Sequence, residues 1–366
     1  SSDVCSSDLG CCFVRFAMNE SECRRAAMIK ANDIEMVKLG GMTPEERKRY
    51  EKNKIEINKK VSSLITEATK NAKLECCILC HKPCSSFCNS HSIPQFALKR
   101  IAEDGKVMLP LQDEILTIGK DIGVNKAGTF HIICRDCDSR VFQLYEDPNA
   151  YNSKPADQML AQIALKDVLL MISKRNQERE QYKLVGEQAE FLKDFADEKI
   201  YWGNFDLRDY GEDLEYARSS LDGRKSNRYY LCFYTVLDYV VPYAAQSSVT
   251  LISDFEDSIV NNIYSQEQKY RIKAIHVAVF PLESTSAILL FIEDGVKRYR
   301  KFYRSLRKLP KDDQLAAINY LVFSYTENVF MNPTTHKELK KNDFFMDMCR
   351  KSTDFRSHTP FPLDDP

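Results

Sequence analysis

The chain has 366 residues, 43% of them hydrophobic and 29% charged, with a net charge of −1. These values belong to a globular protein with room for two or three domains, and they exclude a global field that would draw the chain to nucleic acid or membrane. No apolar run reaches the ~18 residues that a membrane helix needs; no membrane partner is expected, and without a secretion signal the expected compartment is the cytoplasm, where thiols stay reduced.

Residues 1–17 repeat Ser-Ser-Asp around Cys5 without helical or strand pattern and read as artefact or disorder. Residues 18–73 form a helical N-terminal segment. Within it, Thr43-Pro44-Glu45-Glu46 is a capping box with Pro at the first helical position, which predicts a charged helix to about Lys70. Ile55, Val61, Leu64, Ile65 and Ala68 supply its thin apolar stripe.

Residues 74–150 are the cysteine-rich module. Seven of the thirteen cysteines lie between positions 76 and 137, and four of them make two CxxC pairs, Cys77/Cys80 and Cys134/Cys137. Each pair can present two thiolates from one tight turn, so two pairs close a tetrahedral structural Zn²⁺ site. Such a site supplies roughly 10–16 kcal/mol to folding. A redox CxxC would need a βαβ context, which is not seen. Cys84 and Cys88 offer a second metal site with His91, or a thiol nucleophile beside it, but Pro83 interrupts the helix that such spacing would need. Gln95–Ala102 reads as a helix, Val107–Leu111, Ile115–Ile118 and Phe130–Cys134 as strands, and Arg140–Glu146 as the helix that closes the module.

Residues 151–342 read as a mixed α+β domain of undetermined role. Lys154-Pro155-Ala156-Asp157 opens a helix in which Leu160, Ile163, Ala164, Val168 and Met171 recur at helical spacing, and Asn176–Lys199 continues as helix past a weak break at Gly186. After a turn at Leu221-Asp222-Gly223, strands are expected within Arg228–Val241, Ser247–Ser253, Ala274–Phe280 and Ser286–Ile292, then a helix over Lys311–Phe323. Lys297 to Lys308 carries seven basic residues and no acid, interleaved with aromatics. Lys297, Arg298, Arg300, Lys301 and Arg304 are the candidate phosphate contacts, with a nucleic acid, DNA rather than RNA, as partner. The alternative is an amphipathic helix that buries Tyr299, Phe302, Tyr303 and Leu306. Residues 343–366 are expected to be a tail.

The order Cys77-x2-Cys80, Ser90-His91-x-Ile93-Pro94, Cys134-x2-Cys137-Asp138 resembles the HNH, or His-Me finger, endonucleases of the four-cysteine zinc type. The resemblance covers about a fifth of the chain. It implies a small zinc-stapled treble-clef or ββα module followed by a larger domain, in an α+β protein. It also implies metal-dependent phosphodiester hydrolysis, with His91 as general base and Asp138 on a separate Mg²⁺ or Mn²⁺. Ser90 stands where that family usually has an acid, Asp138 where it often has His, and Asn125 lies too far from Cys134 to match its Asn. Glu146 and Asp147 are substitute ligands under this reading. Rival roles for His91 are zinc ligation and a structural hydrogen bond. His81 and His131 read as surface residues, and His276 as a strand residue with no role. The alternative function is a non-catalytic, zinc-stabilised module that binds nucleic acid or protein.

Overall fold

The computed structural model describes residues 44–110, 121–222, 227–255, 258–262, 265, 267 and 269–351. The expected strand at Ile115–Ile118 lies outside them. The chain divides into two compact units. The first takes its described residues from 44–73 and 174–207, and the second from 74–110, 121–173 and 208–351.

In the first unit, α1 (Pro44–Asn71) buries Ile57, Val61, Leu64 and Ala68 against Tyr182, Leu184, Val185 and Ala196. These four positions follow the i, i+4, i+7, i+11 rhythm of one helix face. Ile55, expected on that stripe, is 76% exposed, because two residues turn a helix by about 200° and carry it to the opposite face. Gly186 does not break its helix, which runs from Asp157 to Gln188. A Cβ there would stand 3.3 Å from the Cβ of Ala196, so a close helix approach accounts for the glycine.

In the second unit, the cysteine-rich segment contains β1 (Ser90–His91), α2 (Gln95–Ile101), β2 (Lys106–Val107), β3 (Ile122–Gly123), β4 (Thr129–Phe130) and α3 (Arg135–Val141). β1 pairs with β4 and β2 with β3, both antiparallel. The closing helix starts at the second CxxC pair rather than at Arg140, because the extended Cys134 forms its N-cap. The long helix α4 (Asp157–Gln188) and α5 (Lys193–Ser220) come next.

Strands β5 (Tyr229–Leu237), β6 (Tyr243–Val249), β7 (Ile275–Pro281), β8 (Ser286–Glu293) and β9 (Val329–Met331) form one antiparallel sheet in the order β5-β8-β7-β6-β9. β7 and β8 are buried along nearly their whole length, which requires cover on both faces. Alternation assigns the faces. Val277, Val279, Ile288 and Leu290 join Phe302, Leu306, Ile318 and Val322 of α6 (Arg300–Lys308) and α7 (Lys311–Tyr325). On the other face Phe280 meets Tyr145, Tyr151 and Phe96 of the cysteine-rich segment at centroid distances of 6.3, 5.1 and 6.5 Å. An antiparallel sheet with helices segregated around it is an α+β architecture. Among the described residues, no helix is long and apolar enough to cross a membrane.

α8 (Pro333–Leu339) is followed by α9 (Asp343–Lys351), in the region expected to be tail. Phe345 and Cys349 of α9 are 6% and 1% exposed, and the Phe345 ring lies 5.1 Å from that of Phe323. Asn342 caps this helix by accepting from the Phe345 amide at 3.0 Å, a local signal that the expectation of a tail overlooked. Phe345→Ala should therefore cost about 3 kcal/mol in urea denaturation; an unchanged midpoint would mean that α9 contributes nothing to the core.

Candidate metal centre and the lysine beside it

The first CxxC pair sits in a tight turn. The His81 amide donates to the Cys77 carbonyl at 2.8 Å, and the Cys77 amide to Lys82 at 3.0 Å. His81, at φ +57°, supplies the left-handed residue that closes the turn. The second pair occupies the start of α3; burial and the neighbouring cysteines push both of its thiols up, against the Cys137 amide, which favours the Cys134 thiolate. The four ligand sulfurs of Cys77, Cys80, Cys134 and Cys137 all lie within 4.8 Å of one another. Cys80 and Cys134 are 3.8 Å apart. Tetrahedral zinc with bonds of about 2.3 Å requires sulfurs about 3.8 Å apart, so this donor set fits that ion.

Burial pushes the Cys77 thiol up, but amides of Cys134, Cys80 and Leu79 aimed at its sulfur bring it down to about 7. Cys88 behaves in the opposite way. Burial and the neighbouring Asp138 charge push it up to about 11, and it donates to Asp138 Oδ2 at 3.3 Å. Cys84 donates to the Ser86 carbonyl. Among the described residues, only the CxxC cysteines have metal-ligand spacing, so Cys84, Cys88 and His91 are not brought together as a second site.

β1, paired with β4, and the helix α3 that comes after β4 carry the candidate chemical groups. The half-buried His91 has its Nε2 3.0 Å from the Val124 carbonyl. A carbonyl only accepts, so Nε2 carries the proton and Nδ1 keeps the lone pair of the neutral ring. Burial pulls the His91 pKa below its usual value, which favours that neutral form. The turn before β4 is fixed by Gly128 at φ +60°, where a Cβ would lie 2.8 Å from Ser92 Oγ.

Ser90 Oγ donates to Asp138 Oδ1 at 2.6 Å. Lys166 of α4 donates to Ser90 Oγ at 2.7 Å and to Asp138 Oδ1 at 2.9 Å. The Lys166 side chain is only 1% exposed. Its ammonium lies 4.0 Å from the Phe142 ring centroid and 5.3 Å from that of Tyr145, so its surroundings are aromatic except for these two oxygens. Burial raises the Asp138 pKa, but the Lys166 charge and the Ser90 hydrogen bond outweigh it and hold the carboxylate ionised. Desolvation by its neighbours raises Glu146, although the residue is exposed at the surface, with Lys166 pulling the other way. Asp147 caps the turn at Pro148–Asn152 by accepting from the Asn149 amide. The Asn125 side chain accepts from Gln95.

The basic run divides. Tyr299, Phe302, Tyr303 and Leu306 are buried, as the amphipathic alternative expects. Arg298 is spent on Asn261 Oδ1 at 2.7 Å, and Lys301 on Ser258 Oγ at 2.6 Å. Arg307 donates to the carbonyls of Cys232 and Leu231. Lys297, Arg300 and Arg304 are exposed.

No family model, curated protein or solved structure matches the chain. The metal centre is therefore argued from its own geometry. Metal analysis of purified protein should find a single zinc, retained in His91→Ala. Cys137→Ser should lose the metal and unfold, because a site worth roughly 10–16 kcal/mol exceeds most of the 5–15 kcal/mol that stabilises a domain.

Proposed function

We propose that this protein is a non-catalytic, zinc-stabilised nucleic-acid-binding protein, in which residues 74–150 keep the HNH order of knuckle, β-pair and helix without its hydrolytic cation. The observation that carries this reading is the position of Lys166. The resemblance would place Mg²⁺ or Mn²⁺ against residues 90 and 138, and the Lys166 ammonium is within 2.9 Å of the side-chain oxygens of both. One buried cation already neutralises Asp138. A divalent ion would have to displace it and leave the lysine charge without a partner, a loss of about 3–5 kcal/mol for a buried pair. The exposed Lys297, Arg300 and Arg304 support a polyanionic partner, with Arg298 and Lys301 committed to internal bonds.

The second reading is the HNH-type endonuclease. It is favoured by His91, whose proton sits on Nε2 toward Val124 and whose Nδ1 is left as a base. Fluorescence anisotropy with short duplex DNA separates the two. A binder should release DNA with a log K against log salt slope of about −2.7 if three cations meet phosphates, and alanine at Lys297, Arg300 and Arg304 together should flatten it. Plasmid should stay intact with Mg²⁺ or Mn²⁺. Cleavage that disappears in His91→Ala would overturn the binding-only reading, and absence of any salt-dependent retention would remove nucleic acid as the partner.

A further inference from the structure

Asp167, the residue after Lys166, serves a different constellation within the second unit. Its side chain is 1% exposed and accepts from Gln246 Nε2 at 2.9 Å and from His276 Nδ1 at 2.7 Å. With Nδ1 donating to the carboxylate, Nε2 of the neutral ring is an acceptor. It has no hydrogen-bond partner among the described residues. The ring is held in place by stacking on Phe291 at 4.7 Å and by the edge contact with Tyr229 at 6.3 Å.

His276 lines a small cavity together with Ser248, Asp213, Lys273, Glu293 and Tyr229. Ser248 is directly opposite His276 in the β6/β7 register, so their side chains share a sheet face. Among the described residues, Lys273 is the only lysine or arginine on the wall. It donates to Glu293 at 2.7 Å and stands 3.6 Å from Asp213, beyond good hydrogen-bond length. Two carboxylates therefore share one ammonium. Desolvation pushes the Asp213 carboxyl up to about 6 even with Lys273 beside it, although its side chain is 39% exposed.

We propose that this cavity binds a small organic cation, a primary ammonium or guanidinium head, with Asp213 and Glu293 supplying the charge and His276 Nε2 and Ser248 Oγ accepting its N–H groups. His276 Nε2 and Ser248 Oγ can both accept, and two carboxylates face one ammonium, so a ligand that brings donors is matched best. The carboxylates disfavour an anion. A bare metal ion is disfavoured too, because among the described residues these side chains do not converge to metal-ligand spacing. An organic head spreads its N–H groups over several ångströms and can reach acceptors that one ion cannot. Tyr229 offers an aromatic wall of the kind that attracts such cations.

The probes are methylammonium and methylguanidinium, titrated into full-length protein, with the ¹⁵N resonance of His276 Nε2 and saturation-transfer NMR as readouts. Both wild type and His91→Ala should bind saturably and shift that nitrogen. Asp213→Asn and Ser248→Ala should weaken binding, the former by about tenfold, as expected for loss of a charge-assisted hydrogen bond. Lys273→Met removes the competing ammonium and should tighten binding, a direction that a purely structural role for these residues does not produce. No saturable binding of either probe to wild type, binding unchanged in Asp213→Asn and Ser248→Ala, or weaker binding in Lys273→Met would each overturn the proposal. Zinc content, read in parallel, reports on the metal centre separately.

Discussion

Two adjacent, buried, opposite charges on one helix organise the second unit. Lys166 and Asp167 are 1% and 2% exposed, and neither can be left alone in the interior. Lys166 finds its partners in Ser90 and Asp138, on the strand and helix of the zinc module. Asp167 finds His276 on β7 and Gln246 on β6. Consecutive helical residues point about 100° apart, so the two pairs can be made together only at one rotation of α4. Apolar packing alone tolerates small slides. Two buried hydrogen-bonded charges do not, because each lost contact strands a charge.

The same interface is closed by neutral groups that leave few polar atoms unmatched. Tyr145 Oη lies 2.7 Å from the Ser92 carbonyl and 2.9 Å from Gln246 Oε1. Gln246 also donates to the Ile163 carbonyl, and Asn328 donates to the Gln246 carbonyl at 2.7 Å. Ser92 donates to the Gly128 carbonyl and stands 3.1 Å from Asn328 Oδ1. Ser92 follows His91 directly, so this network reaches the backbone that holds the candidate base. The four-cysteine cluster draws the two CxxC segments together, and the Lys166–Asp167 contacts and this network fix the module to the sheet.

Local patterns in the chain carried much of this. The CxxC spacing needed only a few residues of context, and the four cysteines do converge. The strands at Ala274–Phe280 and Ser286–Ile292 were legible because β-branched and apolar residues run together between turns, and β7 and β8 fall within a residue of those bounds. What was not legible depends on distant partners. Lys166 looks like an ordinary polar position in a helix, and its carboxylate lies on another element, with no local spacing to link the two. His276 was placed in a strand without a role because Asp167 is remote in sequence. The basic run showed its composition but not that Arg298 and Arg307 bond inward. Charge counts read surface potential, whereas the fold decides which charges reach the surface.

Lys166 also bears on what the grouping of Ser90, His91 and Asp138 can do. Hydrolysis of a phosphodiester needs positive charge at the non-bridging and leaving oxygens as well as a base. The lysine supplies charge at the expected place, yet its side chain is 1% exposed and sits against Phe142 and Tyr145. Charge held that deeply stabilises Asp138 and is shielded from a phosphate in solvent. A divalent ion would differ because its open coordination positions face the substrate, while the ammonium spends its donors on Ser90 and Asp138. Ser90 fits this pairing: two carboxylates would suit a doubly charged ion, whereas a serine and a carboxylate suit a single ammonium. Ser90 and Lys166 thus make one polar contact from two elements, next to a four-cysteine cluster that does not depend on it.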